Sequence, residues 1–313
     1  MKFPAIAALV IYLNAHLVRS EERPPLRERV HEFIGKHKTP DSIEAAFKEW
    51  SAREPQNPDP YIFAANAYLS AAETIVINTD TKRDGFAITD PKTGKQVGTL
   101  GSAADPKVQM KGEALLALAA VKFPERLDIH VGRMSICERA GDLKALERAA
   151  LAMLDAVAAQ GEKLRWVDSA PLPLPLEEKV VGEIHGRIRL LYSKEKPETD
   201  KAGHEIALAS LKLYPKNVKL LNIAAVFHSY HKEWEQARAL LVKASEVDPD
   251  DIVVLMNIAM TSLRMNDTAD ARKRFETIIK KAPESDEARD AKVELKKLNP
   301  PDVKKAAPAK KKK

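Results

Sequence analysis

The residues best able to do chemistry are His228 and His231, in the stretch His228-Ser229-Tyr230-His231. Three apart on a helix, two imidazoles share a face and could share a metal ion. A zinc site needs at least a third protein ligand, and spacing identifies none. The same pair also reads as a polar helix end beside a turn. Cys137, the only cysteine, lies in the helical stretch MSICERAG and reads as a packing residue; an intramolecular disulfide and an all-cysteine zinc site are excluded. Glu177 and Glu178 read as the acidic first turn of a helix rather than as an acid/base pair. Gly94-Lys95 lacks both the upstream glycine and the following Ser/Thr of a phosphate loop. The chain contains no GxSxG, HExxH, GxGxxG or CxxC. We therefore assign no catalytic residue, no metal and no cofactor, and expect a protein that is not an enzyme.

The elements that would position any site are helical. Of the 313 residues, 44% are apolar, 31% charged and only 5% aromatic, with 20 prolines against 12 glycines. Such a chain reads as helical and proline-punctuated. Pro215, Pro249 and Pro283 recur every 34 residues, which suits a unit of two helices and two turns. A small residue precedes each proline by twelve: Gly203, Ala237 and Ala271, and upstream Ala46 before Pro58 and Gly112 before Pro124. Small residues at that position let the two helices of a hairpin cross closely. Larger ones follow four residues on, at Trp50, Leu116, Leu241 and Phe275, with Ala207 the exception. The proline is expected to open the next helix, where its fixed φ suits the first turn.

This spacing resembles the tetratricopeptide repeat family. Ala237, Leu241, Ala244 and Pro249 meet its small–bulky–small–proline pattern, and Ala271, Phe275, Ile278 and Pro283 nearly meet it. The first-helix tryptophan and leucine-glycine signature is mostly absent, so the subfamily stays open. The resemblance implies an all-α, right-handed α-solenoid of about six helical hairpins, closed by a lysine-rich cap helix at 284–298.

Along the chain, an N-terminal stack is expected over 25–160, with hairpins at about 25–57, 60–123 and 125–160. Thr39 is the expected N-cap of TPDSIEAAFKEW, and Gly141-Asp142 marks the third hairpin's turn. Between the helices of the second hairpin, at about 78–102, FAIT and QVGTL flank the turn residues DPKTG and predict an inserted β-hairpin. The preceding YIFAANAYLSAAETIVI reads as one helix. At 161–176, Pro171, Pro173 and Pro175 alternate with leucines and predict a stiff, extended spacer, or a ligand for a proline-reading domain. A C-terminal stack follows over 177–298, then a disordered tail over 299–313.

The resemblance also implies that the first helix of each hairpin lines a concave, partner-binding groove. By position these residues are Lys219, Asn222, Val226 and Tyr230, then Val253, Met256, Met260 and Arg264. Asparagine can hydrogen-bond an extended backbone, and methionine offers an adaptable apolar surface; Met256 and Met260 also read as packing residues. The lysine, asparagine and arginine set by which some family members clamp chaperone tails is not reproduced. The expected partner is a peptide or protein segment.

A second reading uses the tail. Lys304, Lys305, Lys310, Lys311, Lys312 and Lys313 stand there with no acid after Asp302; without those six, basic residues equal the 45 acidic ones. The tail could tether the chain to an anionic membrane or polyanion. The balanced body argues against specific nucleic-acid binding. At the other end, Lys2, the apolar run Phe3–Leu17 and a small residue at Ser20, with Ala15 as a second candidate cleavage point, have the layout of a secretory signal peptide over 1–20, which predicts a periplasmic or secreted protein. A retained apolar first helix in a cytoplasmic protein is the alternative.

Overall fold

The computed structural model describes residues 26–80 and 86–298. The expected signal peptide and the tail lysines lie outside these residues. The chain forms two compact units, one up to Glu183 and one from Ile184. Both are built from paired helices stacked as in an α-solenoid.

The first unit contains α1 (Leu26–Lys36), α2 (Pro40–Arg53), α3 (Asp59–Ala72), α4 (Pro106–Lys122), α5 (Leu127–Ala140) and α6 (Leu143–Gln160). Thr39 caps α2 with a capping box: its Oγ1 accepts from the Ser42 N–H, and the Ser42 Oγ accepts from the Thr39 N–H. Gly141 closes α5 in the left-handed region, at φ 70°, and Asp142 caps α6 through the Ala145 N–H. Gly112 on α4 lies directly over the Ala65 backbone of α3, as a small residue at a helix crossing should.

A three-stranded antiparallel sheet interrupts the second hairpin. Its strands are β1 (Glu73–Asn78), β2 (Phe86–Thr89) and β3 (Gln96–Ala104), in the order β1-β3-β2. The expected β2–β3 hairpin is present, with a register shift at Ile88/Thr89. The expected continuous helix through ETIVI is not. α3 stops at Ala72, and Glu73–Asn78 pairs with β3 from Glu73↔Ala104 to Asn78↔Thr99. The β-branched run Thr74-Ile75-Val76-Ile77 loses side-chain freedom in a helix and suits a strand.

The segment read as a spacer is in its first half part of this unit. The Arg165 N–H donates to the Glu125 carbonyl, and the Arg165 carbonyl accepts from the Leu127 N–H. Leu164 and Trp166 are buried, and the Lys179 ammonium sits 4.2 Å from the centroid of the Trp166 ring. The prolines at 171, 173 and 175 are exposed, in chain without helix or strand.

α7 (Leu176–Tyr192) runs from the first unit into the second, which continues with α8 (Pro197–Leu213), α9 (Val218–Tyr230), α10 (Trp234–Val247), α11 (Ile252–Arg264), α12 (Thr268–Lys281) and α13 (Asp286–Leu298). Ala237, Leu241 and Ala244 are buried in one hairpin, and Ala271, Phe275 and Ile278 in the next. Ala288 and Ala291 of α13 complete the core of the last hairpin.

The repeat prolines act differently from expectation. Pro215, Pro249 and Pro283 each stand three residues before the first residue of the next helix. They end the preceding helix. The residue before each is its C-cap: Tyr214 at φ −128°, Asp248 at −130° and Ala282 at −138°, all outside the helical region. Proline's ring disfavours helix at the residue before it. The next helix is opened by a polar side chain instead: Asn217 Oδ1 accepts from the Leu220 N–H, Asp251 Oδ1 from the Val253 and Val254 N–H groups, and Ser285 Oγ from the Ala288 N–H.

Candidate functional site

In the second unit, α7, α9 and α11 border two adjoining clefts. One, of about 540 Å³, is lined by side chains that include His185, Arg189, Tyr192, Lys219, Asp251 and Val253. The other, of about 330 Å³, includes Ser229, Asn257, Met260, Thr261 and Arg264. Asn222, Val226 and Tyr230 line both, so the clefts form one trough along α9.

The α9 spacing explains this. Positions 219, 222, 226 and 230 recur at three and four residues and fall on one helical stripe. The opposite stripe, with Leu221, Ala224 and Ala225, is buried in the core. On the trough floor the Asn257 Nδ2 donates to the Asn222 Oδ1 at 2.8 Å. That leaves the Asn222 side-chain N–H groups and the Asn257 Oδ1 for a ligand. Tyr230 is 68% exposed at one end, its ring edge-on to Tyr192 with centroids 6.5 Å apart.

The trough is electropositive. Arg189, Lys219 and Arg264 are exposed and form no ion pair with any described residue. Burial, then the Arg189 and Lys219 charges, holds the His185 imidazole below its ordinary pKa. Asp251 is the single acidic side chain in the lining, and its Oδ1 is engaged by two N–H groups of α11.

Residues 230–295 match the tetratricopeptide repeat family. The paired helices within that stretch and before it have the form of tetratricopeptide-like hairpins. No curated protein matches it in sequence. It is similar to the solved structure of YrrB, a tetratricopeptide-repeat protein with an unusual peptide-binding site, at 12% identity and a TM-score of 0.43 over 79% of this chain and 98% of that one. It is similar to the C-terminal part of a repeat protein from Cytophaga hutchinsonii, at 13% identity and a TM-score of 0.47 over 88% and 86%. For PilF of Pseudomonas aeruginosa the values are 14% and 0.36 over 61% and 85%.

Seven of the eight groove residues expected from the tetratricopeptide pattern line the trough: Lys219, Asn222, Val226, Tyr230, Val253, Met260 and Arg264. Met256 does not. It packs against the core of the last repeat, and Asn257, one position on, meets Asn222 instead. The tetratricopeptide interval pairs residues 34 apart, but the structure brings 222 to 257, 35 apart. The α7 side chains His185, Arg189 and Tyr192 were missed. Stepping back 34 from Lys219 and Val226 gives 185 and 192, so the interval already held part of that signal.

The remaining candidates have structural roles. His228 Nδ1 lies 2.6 Å from the Glu233 Oε2, and the Glu233 N–H donates to the His228 carbonyl, so the pair locks the α9–α10 turn. The His228 hydrogen bond holds the Glu233 carboxyl below its ordinary pKa. The His231 Nδ1 bonds the Phe227 carbonyl one turn back, at 2.9 Å. Among the described residues no three His, Cys, Asp or Glu side chains are placed to hold a metal. Cys137 is fully buried; burial, then the Glu113 charge, pushes its thiol up to about 12, so the reactive thiolate is suppressed. Glu177 and Glu178 stand in the first turn of α7. Among the described residues no helix is long and apolar enough to cross a membrane.

The first unit has its own cleft, of about 650 Å³, between α1 and α2, with Phe33, Trp50 and Phe63 in its lining. Ala46, the small residue of this repeat, lines the cleft rather than a closed helix crossing.

Proposed function

We propose that this chain is a non-catalytic protein-interaction scaffold that holds an extended segment of a partner protein along the α9 trough. The Asn222–Asn257 pair carries this reading. It offers an amide donor and a carbonyl acceptor side by side, the complement of an extended backbone, whose N–H and C=O groups need partners when water is displaced. Val226, Val253 and Met260 supply apolar surface for the segment's side chains. The helical scaffold is fixed by its own packing, so little ordering cost falls on the protein when the segment binds.

The test is site-specific photo-crosslinking. A photoreactive residue at position 226 is expected to capture a partner, and the same residue at exposed Lys243 on α10 is not. The double variant Asn222→Ala/Arg264→Ala is expected to lose the 226 adduct while keeping its helical circular dichroism. Equal capture from both positions, or an adduct unaffected by the double variant, removes the trough from consideration.

The layout of residues 1–20 supports a periplasmic or secreted location for this scaffold. N-terminal sequencing of the protein isolated from its host tests it: a start after Ser20 or near Ala15 supports export, and a start at Met1 opposes it. The run of lysines favours a second reading, an electrostatic tether to an anionic surface. Deleting 303–313 should then abolish surface binding together with its salt dependence.

A further inference from the structure

Among the described residues of the second unit, five of the seven arginines have a partner. Arg238 meets Asp267 at 3.3 Å, Arg274 meets Asp270 at 3.2 Å, and Arg289 meets Asp286. Arg187 and Arg272 are also engaged. The two that engage no described residue are Arg189 on α7 and Arg264 on α11, and both line the trough. Lys219 on α9 is likewise unpaired and lies between them in chain order. The chain is rich in carboxylates, with 45 Asp and Glu, yet the trough lining includes only Asp251, already committed to its cap. The trough surface therefore carries an excess of positive charge.

We propose that the occupant of the trough is an acidic stretch of a partner protein, whose Asp or Glu side chains meet Arg189 and Lys219 toward one end and Arg264 toward the other. This rests on the reading of the trough as a peptide site and adds the chemistry of the peptide. Guanidinium groups match carboxylates in a two-pronged geometry and are less strongly hydrated than ammonium groups, so they suit a partly desolvated groove. The Asn222–Asn257 pair favours a peptide backbone over a bare polyanion. The chain's own lysine tail has the wrong sign to fill the site. Recognition is through side-chain carboxylates, so a free C-terminus on the bound segment is not needed.

The test is selection of a displayed random twelve-residue peptide library on the full chain. Peptides that also bind a synthetic peptide of residues 303–313 are read as tail binders and removed. Asp and Glu are expected to be enriched in the remainder. For a selected peptide, synthesised with acetylated and amidated ends, replacing its Glu and Asp by Gln and Asn is expected to weaken binding about tenfold, as three partly screened ion pairs would. Arg189→Gln/Arg264→Gln, which avoids the burden of reversed charge, should weaken the acidic peptide by a similar factor and leave the amide version unchanged. Peptides selected without acidic enrichment, yet lost with Asn222→Ala, overturn the acidic occupant and leave the peptide site standing. Failure to enrich any trough-dependent peptide overturns both. An oligodeoxythymidylate that binds the trough more tightly than the acidic peptide, and loses binding in the Gln variant, replaces the peptide with a nucleic-acid strand and also overturns the proposal.

Discussion

Gly112→Ala should destabilise the first unit although it improves helix propensity. Gly112 lies within α4, where replacing glycine by alanine normally gains about 1 kcal/mol. A Cβ there would stand 2.9 Å from the Ala65 carbonyl oxygen, 3.3 Å from its Cα and 3.5 Å from its carbonyl carbon. All three are backbone atoms of α3, and Ala65 is fully buried. No rotamer change relieves the contact, so α3 and α4 must separate by a few tenths of an ångström. Overpacking of this kind costs about 1–3 kcal/mol. Setting the propensity gain against it leaves a net loss of about 1 kcal/mol. Gly182 on α7 is the internal control: a Cβ there meets nothing within 4 Å, so Gly182→Ala should gain about 1 kcal/mol. Urea unfolding followed by circular dichroism reads both variants, with the slope checked for constancy. The urea midpoints should move in opposite directions, and in a thermal scan the midpoint temperatures should follow them by about 2–4 °C each. A Gly112→Ala protein as stable as Gly182→Ala would refute the close crossing of α3 and α4.

Four further outcomes are expected. Trp166→Ala should cost the first unit about 3–5 kcal/mol in urea unfolding, because the ring is fully buried; a loss below about 1 kcal/mol would return 161–176 to the status of a spacer. Burial, then the Arg133 charge, lowers the His130 imidazole from its ordinary 6.5 to about 4, so the unfolded chain binds the extra proton between those values. The stability contributed by neutral His130 is full above about 6.5 and is lost as pH falls toward 4; His130→Leu should flatten that part of the stability–pH curve, and an unchanged slope would show the imidazole already accessible to protons. Asp251→Ala removes the acceptor for two N–H groups of α11 and should cost about 1 kcal/mol, measured as a shift in the urea midpoint. Met256→Ala should lower stability but leave partner affinity unchanged, whereas Asn222→Ala should do the reverse; isothermal titration beside thermal unfolding separates the two, and a loss of affinity in Met256→Ala would restore it to the trough.

Much of this architecture is legible in the sequence because its causes are local. Proline at 215, 249 and 283 disfavours helix at the preceding residue wherever the chain lies in space, and Asn217, Asp251 and Ser285 cap helices within three residues of themselves. The β2–β3 hairpin likewise follows from β-prone stretches on either side of DPKTG. Strand β1 was hidden because ETIVIN continues an apolar helical run; only pairing with β3, more than twenty residues on, makes it a strand. The site divides in the same way. Helical spacing placed Lys219, Asn222, Val226 and Tyr230 on one face, since periodicity within a helix is set by the backbone. The placement of α11 beside α9 was not written in any local pattern. It set Asn257 beside Asn222 and turned Met256 into the core. Tertiary packing also decided which charges pair among the described residues: Arg238 and Arg274 meet aspartates of the α12 region, while Arg189 and Arg264, chemically identical in the sequence, line the trough and pair with no described carboxylate.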